Sequence, residues 1–444
     1  MTNATASLEE SFAKSIEQRT TKVGVVGMGY VGLPLALAFC EKGFSVVGFD
    51  VDHEKVDKLR AGEGYIQHLG TERLAEAVEK GQLGATADFD RLAEVDAILV
   101  AVPTPLTKQR EPDMRYIVST AEQIRDRLRP GHLIVLESTT YPGTTDELVR
   151  GILEQSGKRF GEDFFLAYSP EREDPGNKKY ETRTIPKVVG GVDDASGKLA
   201  AALYEAAVSR VVRVGSARAA EATKLTENIF RAVNIALVNE LKVVYDRMGI
   251  DVWDVLDAAE TKPFGFMRFN PGPGLGGHCI PLDPFYLTWK AREYGIATRF
   301  IELAGEVNVA MPRYVVGKVQ DALNDRGRAL KGAKILLLGL AYKKDIDDPR
   351  ESPSFELLHM LEERGAEVDY HDPHIPHMPS MRSWPSLEPR DSVALDASTV
   401  AAYDVVLIAT DHTKVDYEMV ASHAQVVVDT RGVFRVAHDN VVKA

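Results

Sequence analysis

The chain has 444 residues, 44% of them hydrophobic and 27% charged, which predicts a globular protein of two or three domains with large cores. A formal net charge of −13 argues against general nucleic-acid binding, so an anionic substrate would need a local basic pocket. Two cysteines exclude a disulfide framework, and we see no secretory signal and no apolar run long enough for a membrane span, so we expect a cytoplasmic protein.

The first half of the chain alternates strands and helices. Residues 1–20 are predicted to be a mobile lead-in or a short helix. "KVGVVGMGYVGLPLALAF", from Lys22, predicts an apolar strand, a glycine turn and an apolar-faced helix, and "FSVVGFD" predicts a second strand that ends in Asp50. "AILVAVPTP" and "HLIVLESTT" predict further buried strands. This alternation predicts a parallel doubly wound sheet over roughly residues 21–210.

A glycine motif follows the first strand. The predicted cofactor loop comprises Gly27, Met28, Gly29, Tyr30, Val31 and Gly32. In such a GxGxxG motif the glycines allow a tight turn, a close approach to a diphosphate and helix packing on the strand. Asp50 would accept hydrogen bonds from a ribose 2′-hydroxyl and repel a 2′-phosphate, so the sequence favours NAD over NADP. The alternative is a tight turn that binds no ligand.

Two tripeptides end predicted strands, "PTP" at Pro103–Pro105 and "STT" at Ser138–Thr140. In open sheets the ligand crevice lies at the carboxyl ends of the strands, although both tripeptides also suit plain turns. We therefore predict cofactor contacts at Pro103, Thr104 and Thr139, with Thr139 as the functional hydroxyl.

A long amphipathic helix is predicted next. Apolar residues recur every three or four positions and are followed by Gly249 as a stop: Leu225, Ile229, Val233, Leu237, Leu241, Val244 and Met248. A helix this long connects domains or pairs with a copy of itself. Lys224 and Asn228 lie four residues apart on one face, but a surface pair between Glu221 and Lys224 is the simpler interpretation of that face.

"GPGLGGHCIP" contains Cys279, one of the two cysteines, and Asp283 follows four residues later. A thiol close to backbone N–H groups can be held as a thiolate and attack a carbonyl carbon, whereas an isolated cysteine is more commonly an inert packed residue. Helices are expected to continue to about residue 325.

A second α/β unit is predicted from about residue 330 to the end, with strands in "AKILLLGLAYKKD", "AEVDYHDP", "DVVLIATDH" and "AQVVVDTRG". "GLAYKK" lacks GxGxxG, which argues against a second dinucleotide site. His371, His374 and His377 lie near Asp372, but prolines favour an exposed linker there, so we predict no metal site.

Together these motifs resemble the UDP-sugar 6-dehydrogenases, from residue 22 to about 435. "GGHCIPLDPFYL" and "AYKKDIDDPRES" are the most specific stretches. "GEGYIQHLG", "SPEREDPGN" and Leu282 resemble the N-acetylhexosamine branch of that family more than the UDP-glucose branch. The expected substrate is UDP-N-acetylglucosamine, for surface polysaccharide synthesis, with UDP-N-acetylmannosamine and UDP-glucose as alternatives.

The resemblance implies an α/β fold of two doubly wound Rossmann-like domains joined by a long central helix. The implied divisions are a lead-in over 1–20, an NAD domain over 21–215, a helical dimerisation segment over 216–325 and a UDP-sugar domain over 326–444. It also implies a homodimer or a multiple of one. The implied chemistry is a four-electron oxidation with two NAD⁺, in which Cys279 captures the aldehyde as a thiohemiacetal that becomes a thioester.

The resemblance also implies roles for individual residues. Lys224 and Asn228 would stabilise the alkoxide, Asp283 and Thr139 would act through water, and Glu171 would assist thioester hydrolysis. The implied nucleotide-sugar contacts are Gly276, Lys343 and Arg431, with Arg350 reaching the cofactor. Arg172 and Asn177 are candidates for reading the acetamido group, and Pro175 stands where UDP-glucose enzymes often have a second acid.

Two rival classes remain. A two-electron β-hydroxyacid dehydrogenase shares the glycine motif but lacks the cysteine loop and the second α/β unit. A non-catalytic nucleotide-sugar sensor would not need Cys279, Lys224 and Asp283 together. Counting NADH per sugar separates the three classes.

Overall fold

The structure is a computed structural model that describes residues 3–66, 69–107, 109–172, 184–277, 280–381 and 384–444. The chain divides into two compact units. Unit 1 contains residues 1–227 and 285–295, and unit 2 contains residues 228–284 and 296–444.

Strands and helices alternate along most of the described residues. The strands are β1 (Lys22–Val26), β2 (Ser45–Phe49), β3 (Leu83–Thr86), β4 (Ala97–Val100), β5 (Leu133–Leu136), β6 (Phe165–Tyr168), β7 (Lys187–Gly191), β8 (Val211–Arg213), β9 (Lys334–Leu338), β10 (Glu367–His371), β11 (Val405–Ile408), β12 (Val427–Asp429) and β13 (Val441–Lys443). The α-helices are α1 (Asn3–Glu17), α2 (Gly32–Glu41), α3 (His53–Ala61), α4 (Thr71–Glu79), α5 (Arg115–Asp126), α6 (Arg150–Leu153), α7 (Asp194–Glu205), α8 (Ala217–Arg247), α9 (Val252–Glu260), α10 (Asp283–Glu293), α11 (Arg299–Asn324), α12 (Pro353–Glu363), α13 (Ala397–Ala401) and α14 (Tyr417–His423). The described residues also contain the 3₁₀ helices Phe89–Glu94 and Glu154–Ser156 and a π-helical turn, Thr144–Val149.

The sheet of unit 1 has eight strands in the order β3-β2-β1-β4-β5-β6-β7-β8. The six strands from β3 to β6 are parallel, as predicted, and have the 3-2-1-4-5-6 order of a doubly wound dinucleotide-binding sheet. The pair β6–β7 is antiparallel, so β7 and β8 run in the opposite direction. That reversal was not expected, because an apolar strand pattern does not reveal the direction of its neighbour.

Each central strand of unit 1 is buried on both faces. In β5, Leu133 and Val135 belong to one apolar core, while Ile134 and Leu136 belong to the core on the other face. This alternation between two cores explains why the strand has a continuous apolar sequence rather than an apolar–polar pattern.

The N-terminal segment forms a helix rather than a mobile lead-in. α1 packs through Phe12 and Ile16 into the core that also contains α7 residues. The guanidinium of Arg19 then lies over the ring of Phe44. The lead-in is therefore part of unit 1.

Unit 2 contains a second sheet of five parallel strands in the order β10-β9-β11-β12-β13. If β9 is numbered as strand 1, this is the 2-1-3-4-5 order. Successive strands are added on one side of β9 and then on the other, so the switch point of the sheet lies between β9 and β11. The strand order confirms the predicted second α/β unit, and β13 is an additional strand.

The predicted long helix is α8, with 31 residues, and the boundary between the two units falls within it. Leu225 is buried, whereas Leu237, Val244 and Met248 from the same stripe are exposed. Among the helices of the described residues, none combines the length and apolar character that a membrane span needs.

Candidate active site

The glycine motif forms the turn between β1 and α2. Gly27 has a φ of 93°, and a Cβ there would lie 2.5 Å from the carbonyl oxygen of Ala101. A Cβ on Gly32 would lie 1.9 Å from the carbonyl oxygen of Gly27, so both positions require glycine. Gly29 differs, because an added Cβ would have no atom within 4 Å. The loop therefore leaves open space at the position where a diphosphate would approach the start of α2.

Asp50 lies at the end of β2, beside this loop. One carboxylate oxygen accepts a hydrogen bond from Met28 N at 3.0 Å, and the other accepts one from Asp52 N at 3.0 Å. Each carboxylate oxygen has a second lone pair, so Asp50 can still accept hydrogen bonds from a ribose. Lys55 Nζ is the nearby cation, at 3.7 Å. The open loop and this acceptor fit the adenosine half of NAD.

The two predicted tripeptides follow the paired strands β4 and β5, at one edge of the sheet. Ser138 donates its hydroxyl hydrogen bond to the carbonyl of Val102, at 2.8 Å, which ties the two strand ends together. Thr104 is buried, and its carbonyl accepts a hydrogen bond from Tyr286 OH of α10 at 2.8 Å. Thr139 is half-buried and Pro103 is exposed at this edge.

A buried ionic network at the same edge was not predicted from the sequence. Lys187, the first residue of β7, lies with Nζ 2.6 Å from Glu137 Oε2 and 3.3 Å from Glu171 Oε2. Glu137 also accepts a hydrogen bond from Tyr204 OH of α7. Burial raises the pKa of Glu137, although the charge of Lys187 opposes that shift. Burial would lower the pKa of Lys187, but the charges of Glu137 and Glu171 outweigh it and raise that pKa.

Arg172 is tied to the protein around it. Its guanidinium donates to both carboxylate oxygens of Glu227 on α8, at 3.2 and 2.5 Å, and to the carbonyl of Pro186 at 2.7 Å. Its backbone N donates to Glu171 Oε1 at 2.6 Å. Arg172 therefore links Glu171 to α8.

The interpretation of Glu221 and Lys224 as a pair on the protein surface is wrong. Glu221 is fully buried and accepts hydrogen bonds from Gly143 N at 2.7 Å and from the backbone and hydroxyl of Thr145 at 2.9 and 2.6 Å. Burial raises the pKa of Glu221 to about 7, despite these hydrogen bonds. Lys224 is also buried, and the described residues give it no carboxylate within ion-pairing distance.

Two of the predicted catalytic residues meet in unit 2. Asn228 Nδ2 donates to Asp283 Oδ2 at 2.5 Å, and both side chains are buried. Arg231, one turn further along α8, donates to Asn228 Oδ1. These contacts fix the orientation of the Asn228 amide and hold it on the carboxylate at the start of α10.

The glycines before Cys279 make room for side chains of unit 2. A Cβ on Gly276 would lie 2.6 Å from the Cβ of Tyr342, and one on Gly277 would lie 2.9 Å from the ring of that tyrosine. A Cβ on Gly272 would lie 2.5 Å from a guanidinium nitrogen of Arg431. The loop thus packs on two residues that follow β9 and β12. His278 and Cys279 lie outside the described residues, as do Pro175 and Asn177.

The predicted basic residues of unit 2 have different surroundings. Arg350 is paired with Asp348, with its Nη2 2.6 Å from Oδ2. Arg431 donates from Nε to the carbonyl of Ala409 at 2.6 Å, and Lys343 is half-buried. Burial lowers the pKa of Arg431, a shift that the charge of Asp411 opposes. These contacts hold Arg431 at the carboxyl edge of the second sheet.

Lys242 of α8 was missed by the sequence interpretation. Its Nζ lies 5.4 Å from the ring centre of Trp253 and 5.9 Å from that of Tyr314, and it donates to the carbonyl of Thr430 at 3.4 Å. Burial and the charge of Arg431 lower the pKa of Lys242 to about 7. On an amphipathic helix such a lysine is indistinguishable from a solvent-exposed one.

The histidine-rich stretch after β10 is not the exposed linker that we expected. Asp372 is buried and bonds to His412 Nε2 at 3.0 Å. His374, His412 and Asp345 lie close enough to suggest a metal site, with His374 Nε2 3.9 Å from Asp345 Oδ1. However, His412 Nδ1 already accepts the N–H of Asp345 at 3.0 Å. The lone pair that would bind a metal ion is therefore used within the protein.

Comparison with known proteins supports the predicted family. Three domain models of the UDP-glucose/GDP-mannose dehydrogenase family match the chain: the NAD-binding domain over residues 21–208, the central domain over 218–310 and the UDP-binding domain over 336–436.

Similar proteins cover almost the whole chain. A UDP-N-acetyl-D-glucosamine 6-dehydrogenase of Pseudomonas aeruginosa is 38% identical over 395 residues, which cover 88% of this chain and 91% of that protein. A UDP-N-acetyl-D-mannosamine dehydrogenase of Pyrococcus horikoshii is 32% identical, with 93% and 96% covered. A solved structure of a UDP-D-ManNAc dehydrogenase from Pyrococcus horikoshii matches with a TM-score of 0.86 at 31% identity, covering 95% of this chain and 98% of that one.

Proposed function

Because the chain belongs to the UDP-glucose/GDP-mannose dehydrogenase family, we propose that it oxidises the C6 hydroxyl of UDP-N-acetylglucosamine to a carboxylate. The broader activity, NAD-dependent oxidation of a UDP-sugar, follows from that membership. The sugar itself is proposed from the 38% identity to the Pseudomonas aeruginosa UDP-N-acetyl-D-glucosamine 6-dehydrogenase. The product would be a precursor of surface polysaccharide.

One observation in the structure supports this chemistry most directly. Lys224 is a buried ammonium that has no carboxylate partner in the described part of the chain, and Asn228 follows it by one helical turn. Such a cation stabilises negative charge on an oxygen, here the alkoxide that forms when the C6 hydroxyl loses its proton. Asn228, held by Asp283, adds a polar group of fixed orientation.

The proposed reaction proceeds in two oxidations and one hydrolysis. The glycine loop and Asp50 would hold NAD⁺, which would supply the hydride acceptor for the two oxidations. Loss of the first hydride and the hydroxyl proton converts C6 into an aldehyde, to which the thiol of Cys279 adds, giving a thiohemiacetal. Loss of the second hydride and proton gives a thioester. Water then attacks the carbonyl carbon, the carbon–sulfur bond breaks, and the Cys279 thiolate leaves.

The carboxylates have separate proposed tasks. Asp283 accepts a proton through water during the oxidations, and Thr139 orients a water molecule near the cofactor. Glu171 accepts a proton from the water that attacks the thioester. In unit 2, Arg431 and Lys343 are proposed to hold the nucleotide-sugar. The chain has a formal net charge of −13, so the anionic diphosphate of the substrate needs local basic side chains.

Replacing Cys279 with serine tests the covalent mechanism. Serine is a poor nucleophile at neutral pH, so formation of the uronic acid is expected to fall by at least about a thousandfold, while NADH from the first oxidation persists slowly. The wild-type protein should yield two NADH per sugar. Near wild-type acid formation by Cys279→Ser would contradict covalent catalysis, whereas a single NADH per sugar in the wild type would indicate a simple dehydrogenase.

Substrate choice needs a direct comparison, since a UDP-N-acetyl-D-mannosamine dehydrogenase is also 32% identical. We expect the largest kcat/KM with UDP-N-acetylglucosamine in a panel with UDP-N-acetylmannosamine, UDP-N-acetylgalactosamine and UDP-glucose. A larger value with UDP-N-acetylmannosamine would reassign the sugar without changing the chemistry.

The proposed assembly is a homodimer or a multiple of one, in the cytoplasm, where the Cys279 thiol stays reduced. Leu237 and Val244 of α8 are 52% and 45% exposed, Met248 directly after the helix is 63% exposed, and the three residues continue one face of that helix. A second copy would cover such a stripe. Light scattering at micromolar concentration should therefore give an even multiple of 48.8 kDa, and a monomer would contradict the proposal.

A further inference from the structure

The buried network of Glu137, Lys187 and Glu171 extends from the interior of unit 1 to the edge of its sheet. The side chains are 0%, 4% and 13% exposed in that order. Glu137 follows β5 and Glu171 follows β6, while Lys187 begins the antiparallel β7 at the same edge. Lys187 is thus a cation whose inner side faces a wholly buried carboxylate and whose outer side faces the carboxylate assigned to hydrolysis.

The inner end of the network is fully bonded. One oxygen of Glu137 accepts a hydrogen bond from Tyr204 and the other is 2.6 Å from Lys187 Nζ. Both oxygens of Glu171 are also engaged, one by Lys187 Nζ at 3.3 Å and the other by Arg172 N at 2.6 Å. The orientation of the Glu171 carboxylate is therefore set by two donors, and one of these is charged.

Stability alone is a weak reason for this arrangement. Buried ion pairs are often replaceable by well-packed apolar side chains at little cost in stability. The arrangement of Lys187 beside Glu171 instead affects the charge of Glu171, since an ammonium beside a carboxylate favours the ionised form of the carboxylate. Only an ionised Glu171 can accept a proton from water.

We propose that Lys187 is a positioning residue for thioester hydrolysis, held by Glu137 and Tyr204, and that it keeps Glu171 ionised and correctly oriented toward the attacking water. The inference rests on the proposed function. In the step concerned, the water oxygen bonds to the thioester carbon, one proton passes to Glu171, and the sulfur leaves as thiolate. Among the described residues, the titratable groups facing Lys187 are Glu137, Glu171 and Tyr204.

The experiment uses the full-length protein and three variants. Lys187→Met removes the charge at similar length, and Lys187→Arg keeps the charge. Because Lys187→Met leaves Glu137 buried without a cation, the double variant Lys187→Met/Glu137→Gln removes both charges, and we expect it to fold. Each protein is followed by steady-state NADH formation from pH 5 to 9 and by intact-protein mass spectrometry during turnover.

We expect both charge-removing variants to lose about ten- to a hundredfold in kcat with little change in the KM for the sugar. The acid limb of the kcat profile should move to higher pH by about one unit in Lys187→Met, because a carboxylate without its cation protonates more readily, and by less in the double variant, which also loses the repulsion from Glu137. A sugar–protein adduct should accumulate on them, whereas Lys187→Arg should behave as the wild type.

The outcomes separate this inference from the proposed function. Two NADH per sugar in the wild type, with an unmoved acid limb and no adduct in the folded double variant, would show that Lys187 is only structural. One NADH per sugar in the wild type would overturn both the inference and the covalent mechanism.

Discussion

The first strand of each sheet ends in the same way, although the two units are expected to bind different ligands. Gly27 after β1 has a φ of 93° and Gly339 after β9 has a φ of 90°. A Cβ on either glycine would clash with the backbone just after the neighbouring strand. It would lie 2.5 Å from the carbonyl oxygen of Ala101, after β4, in unit 1, and 2.7 Å from that of Thr410, after β11, in unit 2. The tight glycine turn is therefore common to both units and does not identify a ligand.

An aspartate at the end of the neighbouring strand completes each turn. Asp50 accepts a hydrogen bond from Met28 N at 3.0 Å, and Asp372 accepts one from Leu340 N at 2.7 Å. In both units the carboxylate thus holds the residue that follows the glycine. An aspartate here is a structural part of the turn before it is a ribose ligand.

The two carboxylates differ in what else they bind. Asp50 accepts one further backbone hydrogen bond, so it retains acceptor capacity. Asp372 is also bonded to the backbone N–H groups of Ala341, His374 and Ile375 and to the ring of His412. The carboxylate of the second turn is therefore occupied by hydrogen bonds from the protein itself, and we call this a sealed turn. The same pattern, a glycine turn beside an aspartate, therefore leaves room for a cofactor in unit 1 and is occupied by the protein's own hydrogen bonds in unit 2.

The largest expected effect is on unit 2, from replacing Asp372 with alanine. Loss of this buried carboxylate leaves several polar groups without partners, so the free energy of unfolding should fall by about 3–5 kcal/mol. Urea unfolding followed by far-ultraviolet circular dichroism measures it. Asp391→Ala is the control, because Asp391 is exposed and paired with an exposed histidine. Equal effects of the two substitutions would contradict the sealed turn.

The stability that Asp372 provides should also depend on pH. Burial alone would raise the pKa of Asp372, but the hydrogen bonds from His412 and from the backbone N–H groups of Ala341 and His374 outweigh it, so the pKa lies below its usual value. The folded protein therefore releases this proton at lower pH than the unfolded chain. The contribution of Asp372 should be complete above about pH 4 and should decline as the pH falls further.

The second largest expected effect is the change in stability on replacing Lys242. The two units each contain a buried lysine, and the two lysines have different surroundings. Lys187 in unit 1 lies between carboxylates, whereas Lys242 in unit 2 lies near Arg431 and its pKa is lowered to about 7. We expect Lys242→Met to raise the free energy of unfolding by about 2–3 kcal/mol at pH 6.

The sign of the pH dependence follows from proton binding. Between about pH 7 and 10 the unfolded chain keeps the Lys242 proton that the folded protein has released, so wild-type stability gains with rising pH. The advantage of Lys242→Met should therefore shrink from pH 6 to pH 9. Urea midpoints at both pH values test this. Lys198→Met, which breaks an exposed pair with Asp194, is the control and should show no such gain.

The sequence predicted those parts of the fold that depend on local pattern. The turn at Gly27, the strands β1, β2, β4, β5 and β9 to β12, and the helix α8 follow from periodicity and from glycine positions. The short β3, with the sequence Leu-Gly-Ala-Thr, lacks a strand pattern, and the reversal at β7 depends on a neighbour's direction. Both features are set by the whole sheet.

The candidate site was predicted less completely, for a related reason. Asn228 and Asp283 were identified from motifs, but their contact joins residues 55 positions apart. The pairing of Glu137 with Lys187 spans 50 positions and involves no motif. The packing of Tyr342 and Arg431 against the glycines before Cys279 was not predicted, because a sequence cannot show which distant side chains lie beside a loop.

A third test removes the carboxylate that distinguishes the cofactor turn. Asp50→Ala should raise the KM for NAD by about ten- to a hundredfold, since the ribose loses its charged acceptor, and should weaken discrimination against NADP. Steady-state kinetics with both cofactors measure it. Asp52→Ala is the matched control, because Asp52 caps α3 two residues away and its loss should leave the KM for NAD unchanged. Equal effects would show that Asp50 acts only through the turn.

The smallest expected effect comes from Gly29, the one position of the motif where the protein itself leaves space. An added Cβ would meet no atom within 4 Å, and the backbone does not have a positive φ, so Gly29→Ala should fold normally. The new methyl group would nevertheless occupy the space through which the diphosphate reaches the start of α2, so NAD affinity should fall by about tenfold. Gly84→Ala in β3 is the control, since a Cβ there also meets no atom within 4 Å. Calorimetric titration with NAD compares the two variants. If Gly29→Ala bound NAD as tightly as Gly84→Ala, the diphosphate would not lie at this loop, and the distinction between an open turn in unit 1 and a sealed one in unit 2 would lose its functional meaning.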